Sequence, residues 1–237
     1  MKVINLMLKA AGKGDLRLDS RISMGYLIHL IWKYGWMMVR GKFFALAHKR
    51  ISHSVFVGSK VKVLEKRMLA VGEKVKLHDG VYIDALSQEG VLLGQGVVLG
   101  RNSRIECTGG LQRIGKGIKI GDNSTFGNDC FFGAAGGIQI GNHVVAGQLI
   151  RFHSENHKYS DMDKLIQDQG VTHKGIRIGS NCWIGAGAVF LDGAEVGDGC
   201  VVAANTVITK QFPDNVVIGG VPAQIIKVRE RKREFEE

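Results

Sequence analysis

The sequence predicts an all-β solenoid in which short strands form the faces of a prism. Glycine is abundant, with 33 residues against 2 prolines, and this excess indicates a backbone with many tight corners. Apolar residues recur at every sixth position, with small residues in register between them. Such a period fits neither an α-helix nor an ordinary strand. Three faces of six residues make a turn of roughly 18 residues, in which apolar side chains fill the interior.

The clearest apolar row lies near the C-terminus. It contains Ile178, Ile184, Phe190, Val196, Val202 and Ile208, and the small residues that follow at fixed spacing are Cys182, Ala188, Ala194, Cys200 and Thr206. A second row contains Ile114, Ile120, Phe126 and Phe132, each followed by a glycine. A third, looser row contains Leu93, Leu99, Ile105 and Leu111, and a weaker one extends back through Val81, Val75, Leu69 and Val63 to Val57. Cys130, Cys182 and Cys200 fall among the small residues, so we expect buried packing thiols there.

The repeat divides the chain into three parts. It covers about residues 53–226, after an N-terminal segment (1–52) that is predicted to be helical and before a charged tail (227–237) that is expected to be an exposed helix or a frayed end. Residues 20–64 hold eight Lys or Arg and no acid, around the aromatic-rich stretch "GYLIHLIWKYGWMMVRGKFFALAH". Residues 20–50 therefore suit a peripheral membrane contact or a helical cap that packs on the prism or a neighbouring subunit.

The bulk composition narrows the classes of protein. The formal net charge of +10 favours anionic partners. Neither a signal peptide nor an apolar run long enough to cross a bilayer is recognised. The four cysteines are accordingly expected to be reduced, in a cytoplasmic protein. No nucleic-acid recognition motif is found, so a nucleic acid is not an expected partner.

A polar insertion interrupts the repeat between Phe152 and Ile176. The stretch "HSENHKYSDMDKLIQDQGVTHKG" (about 153–175) is predicted to stand off one corner as an arm. Its histidines, His153 and His157, are candidates for a catalytic base or for a metal site, with His143 or His173 as a third ligand.

The repeats and the stretch from "NCWIGAGA" to "GGVPAQIIK" resemble the hexapeptide-repeat acyltransferase family, most closely its sugar and polysaccharide O-acetyltransferases. The resemblance implies a left-handed parallel β-helix, a handedness that general topology does not supply. It also implies a homotrimer with active sites between neighbouring prisms. The family includes zinc-dependent carbonic anhydrases, but their histidine spacing differs from this one, so no metal is expected here.

The resemblance also assigns candidate roles. His157 corresponds to the base that takes a proton from a saccharide hydroxyl during attack on acetyl-CoA, and Glu155 or Asp161 could orient its imidazole. The amide of Ala186 is the candidate oxyanion donor. His153 and Asn128 are candidates for contacting the acceptor. Residues expected to bind acetyl-CoA are Trp183, Ala186, Ala204, Thr209, Lys210 and Lys227.

Three alternatives stay open at this point. An N-acetyltransferase that acts on an amino sugar could use the same base. A metal-dependent hydratase could share the fold, and stoichiometric zinc would support it. A non-catalytic structural β-helix would tolerate the loss of His157. Fold alone does not decide among these activities.

Overall fold

The computed structural model describes residue 19, residues 21–46 and residues 48–230. Among these residues helix α1 (Met24–Ala45) comes first, and the Oγ of Ser23 caps it by accepting a hydrogen bond from the Tyr26 amide at 3.2 Å. The predicted helical segment is confirmed for this stretch. Residues 1–18, and the tail from 231 to 237 for which a helix or frayed end was expected, lie outside the described residues.

Three sheets of short strands follow the helix and form the sides of a prism. In spatial order, sheet 1 contains β1 (Phe56–Val57), β4 (Lys76–Leu77), β7 (Val98–Leu99), β10 (Thr125–Phe126), β13 (Val145–Ala146), β18 (Trp183–Ile184), β21 (Val201–Val202), β24 (Val216–Gly219) and β25 (Gln224–Val228). Sheet 2 contains β2 (Lys62–Leu64), β5 (Tyr82–Asp84), β8 (Arg104–Glu106), β11 (Phe131–Gly133), β14 (Arg151–His153), β19 (Val189–Leu191) and β22 (Val207–Ile208).

Sheet 3 completes the prism. It contains β3 (Leu69–Val71), β6 (Val91–Leu93), β9 (Ile118–Ile120), β12 (Ile138–Ile140), β17 (Ile176–Ile178), β20 (Glu195–Val196) and β23 (Gln211–Phe212). The chain passes from sheet 1 to sheet 2 to sheet 3 and back in every coil. Short 3-10 turns cover Lys66–Met68 and Ile166–Asp168. A separate antiparallel pair, β15 (Asn156–His157) and β16 (Val171–Thr172), stands outside the three sheets.

Neighbouring coils pair in parallel, so equivalent residues stack above one another. Ile140 pairs with Ile178, and Phe152 pairs with Phe190. The whole row from Ile178 to Ile208 is buried, as predicted. Only the last pair, β24 with β25, is antiparallel among the pairs described within these sheets, and it closes the C-terminal end. The predicted fold class, a left-handed parallel β-helix with an N-terminal helix and a long inserted loop, is confirmed.

The coils differ in length more than the period of six predicts. At the corner between sheets 3 and 1, a polar side chain in several coils accepts a hydrogen bond from a backbone amide of the coil before it. Ser180 and Asp198 are 18 residues apart, as expected, but Asp122 and Asn142 are 20 apart and Gln95 and Asp122 are 27 apart. Most coils therefore carry extra corner residues that a strict six-residue count misses.

These extra residues account for the errors in the predicted rows. Leu111 and Ile114 are exposed, because they lie in a loop that lengthens the coil between β8 and β9. Val75 is buried but does not continue the row of Val57, since the strand register pairs Val57 with Leu77. Val81 likewise does not continue the row, because Val63 pairs with Ile83 rather than with Val81.

The small-residue row behaves as predicted. All four cysteines are buried and unpaired. Burial raises the pKa of Cys107 to about 12 and that of Cys182 to about 11, and it also raises the pKa of Cys130 and of Cys200. A thiol that is protonated and buried is a poor nucleophile. These residues therefore belong to the core packing.

Candidate functional site

The arm leaves the prism after β14, at the corner between sheets 2 and 3. Its two strands, β15 and β16, place His157 opposite Val171, and the Lys158 amide donates to the Gly170 carbonyl at 2.9 Å. His157 is exposed. At the far end the arm also exposes apolar side chains, with Met162 97% accessible. The predicted arm is therefore a hairpin on which His157 is exposed.

A polar cluster fixes the base of the arm. The Nε2 atom of His173 lies 2.5 Å from Oε2 of Glu155, which joins the outgoing and returning strands. Asp192, which is buried, accepts hydrogen bonds from the Thr172 hydroxyl and the Gly175 amide, both at 2.8 Å. Hydrogen bonds to charged groups are stronger than neutral ones. This cluster holds the arm to the prism on both sides.

The two residues expected to orient His157 have other partners. Glu155 contacts His173. Asp161 lies 3.1 Å from the Lys164 ammonium, and its Oδ1 accepts the Asp163 amide. Neither carboxylate is bonded to His157 in the described chain. The anchoring role of His173 and Asp192 was missed, because nothing in local spacing connects residues on different coils.

His153 lies on sheet 2 rather than on the arm. Its ring is 5.5 Å from that of Phe131, in a tilted arrangement. Burial, and then the charge of Arg151, lowers the pKa of His153, so the imidazole favours its neutral form. A shallow pocket beside it is lined in part by Glu106, Thr108 and Glu155. This pocket lies next to the base of the arm, since Glu155 belongs to both.

Ala186 lies at a different corner, between sheets 1 and 2. The corner repeats in each coil, so Asn128, Ala186 and Ala204 lie in one column. The coils approach closely there: a Cβ at Gly147 would be 2.7 Å from the Ala186 nitrogen, and one at Gly185 would be 2.5 Å from the Ala204 nitrogen. The Ala186 amide donates to no acceptor among the described residues. The side-chain oxygen of Asn128 accepts the Arg101 amide at 2.9 Å.

The predicted coenzyme contacts are spread over neighbouring surfaces of the C-terminal coils. Trp183 projects from sheet 1, 60% exposed, between Val145 and Val201. Thr209 and Lys210 follow β22, and the Lys210 ammonium donates to the side chain of Gln224 at 3.0 Å. Lys227 lies opposite Val217 on β25. Lys210 and Lys227 are thus both exposed at the C-terminal end.

One chain does not bring all the predicted residues together. The arm with His157 is attached beyond the C-terminal ends of the sheet 2 strands, whereas Ala186 precedes them. His153 and Asn128 are likewise on separate coils and corners. In the described part of the chain, no group of three His, Cys, Asp or Glu side chains lies close enough to hold a metal ion. His143 is at an exposed left-handed corner with φ of 57°.

The comparisons agree with this architecture. The sequence pattern described as "Bacterial transferase hexapeptide (six repeats)" matches residues 175–210, which are the coils directly after the arm. The predicted resemblance to hexapeptide-repeat acyltransferases is confirmed. The relatives include proteins named as a galactoside O-acetyltransferase and as a putative colanic acid biosynthesis acetyltransferase.

Several curated proteins are similar in sequence. Galactoside O-acetyltransferase of Lactococcus lactis is 34% identical over 112 residues, which are 47% of this chain and 50% of that protein. A putative colanic acid biosynthesis acetyltransferase of Escherichia coli is 30% identical over 112 residues, 47% of this chain and 59% of that one. A probable acetyltransferase of Mycobacterium tuberculosis is 26% identical over 168 residues, 71% of this chain and 52% of that protein. The chain spans about half the length of the curated relatives it matches.

Solved structures share the fold. A hexapeptide-repeat acetyltransferase of Vibrio cholerae, complexed with acetyl coenzyme A, superimposes with a TM-score of 0.53 and 21% identity, covering 96% of this chain and 99% of that one. An N-acyltransferase of Bacillus cereus, complexed with coenzyme A and a dTDP amino sugar, gives a TM-score of 0.51 and 16% identity, covering 76% and 83%. At these identities the likeness extends to the fold.

Proposed function

We propose that this protein is an acetyl-CoA-dependent O-acetyltransferase that modifies a hydroxyl of a saccharide, such as a surface polysaccharide or its precursor. The observation that carries the proposal is the position of the arm. It interrupts the solenoid immediately before the matched coils, 175–210, and it presents His157 to the outside. A relative named galactoside O-acetyltransferase supports the same reaction, and a relative named for colanic acid biosynthesis supports a polysaccharide as the acceptor.

His157 is the proposed general base. A saccharide hydroxyl is too weakly acidic to attack a thioester unaided, and a neutral imidazole within hydrogen-bond reach can take its proton as the new C–O bond forms. The carbonyl oxygen then becomes negative, and the Ala186 amide, which is free to donate, is the proposed stabilising dipole. As the C–S bond breaks, the imidazolium returns its proton to the departing sulfur. Acetyl ester and free thiol are the products, and no enzyme cysteine is needed.

The small residues along the corner suit the acetyl-CoA co-substrate. Its pantetheine arm is narrow, and the column of Ala186 and Ala204 leaves the edge of the coils open to a slender ligand. Its phosphates require cations, for which Lys210 and Lys227 are exposed at the C-terminal end. Thr209 and Trp183 complete the proposed set. His153 and Asn128 are the proposed acceptor contacts.

A homotrimer is proposed as the working form. Within one chain the arm and the Ala186 corner lie beyond opposite ends of the sheet 2 strands, so a site that uses both is best formed by two adjacent copies related by a threefold axis. A mixing experiment tests this arrangement. Inactive His157→Ala is mixed with a Lys210→Ala, Lys227→Ala double variant at an acetyl-CoA concentration far below the raised KM of the double variant. Mixed trimers should then be more active than the two variants assayed separately. If mixing restored nothing while subunits exchanged, the shared site would be wrong.

We further propose that the enzyme is cytoplasmic, with a peripheral membrane contact through residues 20–50. The four unpaired cysteines support a reducing compartment. Within the described residues no helix has both the length and the apolar character to cross a membrane.

An N-acetyltransferase that acts on an amino sugar is the second candidate, supported by the fold shared with an N-acyltransferase. One experiment separates the two. Purified protein is given acetyl-CoA with free sugars, amino sugars or a bacterial polysaccharide extract, and free CoA is measured. An alkali-labile acetyl ester in the product supports O-transfer, and an alkali-stable amide supports N-transfer. Absence of any acetyl-CoA binding would contradict both, and metal analysis would then test the hydratase alternative.

A further inference from the structure

Helix α1 is docked on the first coil through one narrow side. Gly41 approaches so closely that a Cβ there would lie 1.8 Å from the Val55 carbonyl oxygen, so no side chain fits. Met37 and Ala45 are buried on this same side. The Arg40 guanidinium donates to the Val57 carbonyl at 2.9 Å. These contacts fix which side of the helix faces the prism, and therefore which side faces outward.

The opposite side exposes large apolar residues. We define this outer face of α1 by Ile28, Trp32, Trp36, Val39 and Phe43, all of which are exposed. Trp32 and Phe43 are 68% and 73% accessible. Because each helical residue turns by about 100°, Trp32, Val39 and Phe43 project nearly opposite to Gly41. A helix that is apolar on both sides is normally covered on both, so the outer face is expected to meet a partner.

The charge around the outer face indicates the kind of partner. Residues 20–64 contain eight Lys or Arg and no acid. Lys42 near the end of the helix, and Lys49 and Arg50 just after it, are exposed and form no ion pair with a carboxylate among the described residues. A cationic rim around an aromatic face complements an anionic surface. The same rim disfavours self-association, because a second copy would bring like charges together.

We propose that the outer face of α1 lies in the headgroup region of an anionic phospholipid bilayer. Trp side chains favour this interface because they are apolar with one polar edge, and the surrounding cations meet lipid phosphates. The opposite side of α1, which packs on the first coil, then holds the prism close to the membrane. Resting on the proposed transferase function, this placement further assigns the acceptor to saccharides carried on a lipid rather than to free sugars in solution.

Flotation of the full chain with vesicles tests the surface directly. We compare vesicles of phosphatidylcholine alone with vesicles that also contain phosphatidylglycerol, for wild type and the double variant Trp32→Glu, Phe43→Glu. Met162→Glu is the matched control, since it also replaces an exposed apolar side chain, but on the arm. Wild type and control should float with the anionic vesicles and dissociate at high salt. The helix variant should lose at least about tenfold in binding.

A second variant and two further measurements, acetyl-CoA turnover and oligomeric state, distinguish the possible outcomes. Lys42→Gln with Lys49→Gln leaves the packing side untouched and should weaken only the binding to anionic vesicles. Acetyl-CoA turnover on a water-soluble acceptor should be unchanged in every variant, so failure here is separable from failure of the transferase proposal. The inference is overturned if wild type does not float. It is equally overturned if the Trp32→Glu, Phe43→Glu variant floats as well as wild type, or if this variant alters the oligomeric state, which would identify a second copy as the partner.

Discussion

The His173 imidazole and the Glu155 carboxylate lie 2.5 Å apart and join the two strands of the arm, β15 and β16, of which β15 carries His157. Both side chains are largely shielded at the base of the arm. Asp192 holds the returning strand from the other side through Thr172 and Gly175. The position of the candidate base therefore depends on groups that come from three separate segments of the chain.

Loss of the contact between Glu155 and His173 is expected to shift His157 from its catalytic position while leaving the histidine itself in place. Glu155→Ala should lower kcat by about tenfold to 100-fold, because small errors in the position of a catalytic group are costly, and should leave KM for acetyl-CoA nearly unchanged. Hydrogen exchange of residues 156–172 should become faster. Glu155→Gln, which can still bond His173, should recover part of the rate.

A double-mutant cycle tests whether Glu155 and His173 act through the same contact. Glu155→Ala and His173→Ala should be strongly non-additive, since each removes the same contact. Glu65→Ala serves as control, because that carboxylate lies on the first coil and pairs instead with Arg67. If the two single variants combined additively, or if exchange in the arm were unaltered, the anchoring role would be wrong.

A stack of aromatic rings in the interior lies beneath the arm. The rings of Phe132 and Phe152 are 5.0 Å apart, and those of Phe152 and Phe190 are 4.8 Å apart, with both pairs nearly parallel. Phe152→Ala leaves a cavity in this stack and should lower the free energy of unfolding by about 3–5 kcal/mol. Urea denaturation followed by circular dichroism measures the change. Leu165→Ala, exposed on the arm, should shift it by less than about 0.5 kcal/mol; similar losses for both would contradict the packing described.

The cysteines are expected to be inert in the folded protein. With a pKa of about 11, only about one Cys182 thiol in a thousand is ionised at pH 8, and Cys107 ionises even less. A chromogenic thiol reagent should therefore detect almost no reaction in native protein and all four cysteines after denaturation. Rapid native reaction of a single thiol, together with loss of activity, would instead favour a cysteine-dependent mechanism.

Two lysines are expected to bind the coenzyme phosphates. Lys210→Ala and Lys227→Ala should each raise KM for acetyl-CoA by about fivefold to tenfold, with little change in kcat, since a lost charge contact weakens binding by about 1 kcal/mol. Raising the salt concentration should shrink the difference. Lys62→Ala, on the first coil, is the control. Unchanged KM values in both coenzyme variants would remove these residues from the proposed site.

The regular part of the fold could be predicted because its signal is local. From Ile178 to Ile208 each apolar residue and each small residue recurs in step, and all are buried as expected. The same count fails at Leu111 and Ile114. Extra residues at a corner shift which later positions point inward, while the amino-acid composition of the segment still looks like that of the repeat. The arm was predictable as an interruption of the pattern, since its polar residues have no place in a row.

The geometry of the candidate site was harder to predict from the sequence than the regular coils were. Glu155 was expected to be a partner of His157, but it contacts His173, which only the hairpin brings back to it. Asp192 lies on the following coil, and its role depends on stacking rather than on spacing. Resemblance supplies candidate residue types, whereas hydrogen bonds between coils decide which of them meet.

The central claim is that His157 is the base of an acetyl transfer, and release of CoA from acetyl-CoA in the presence of an acceptor tests it most directly. Wild type should show acceptor-dependent release. His157→Ala should lose it by about 100-fold or more while still binding acetyl-CoA, and His53→Ala, an exposed histidine on the first coil, should match wild type. Full turnover by His157→Ala would contradict the account.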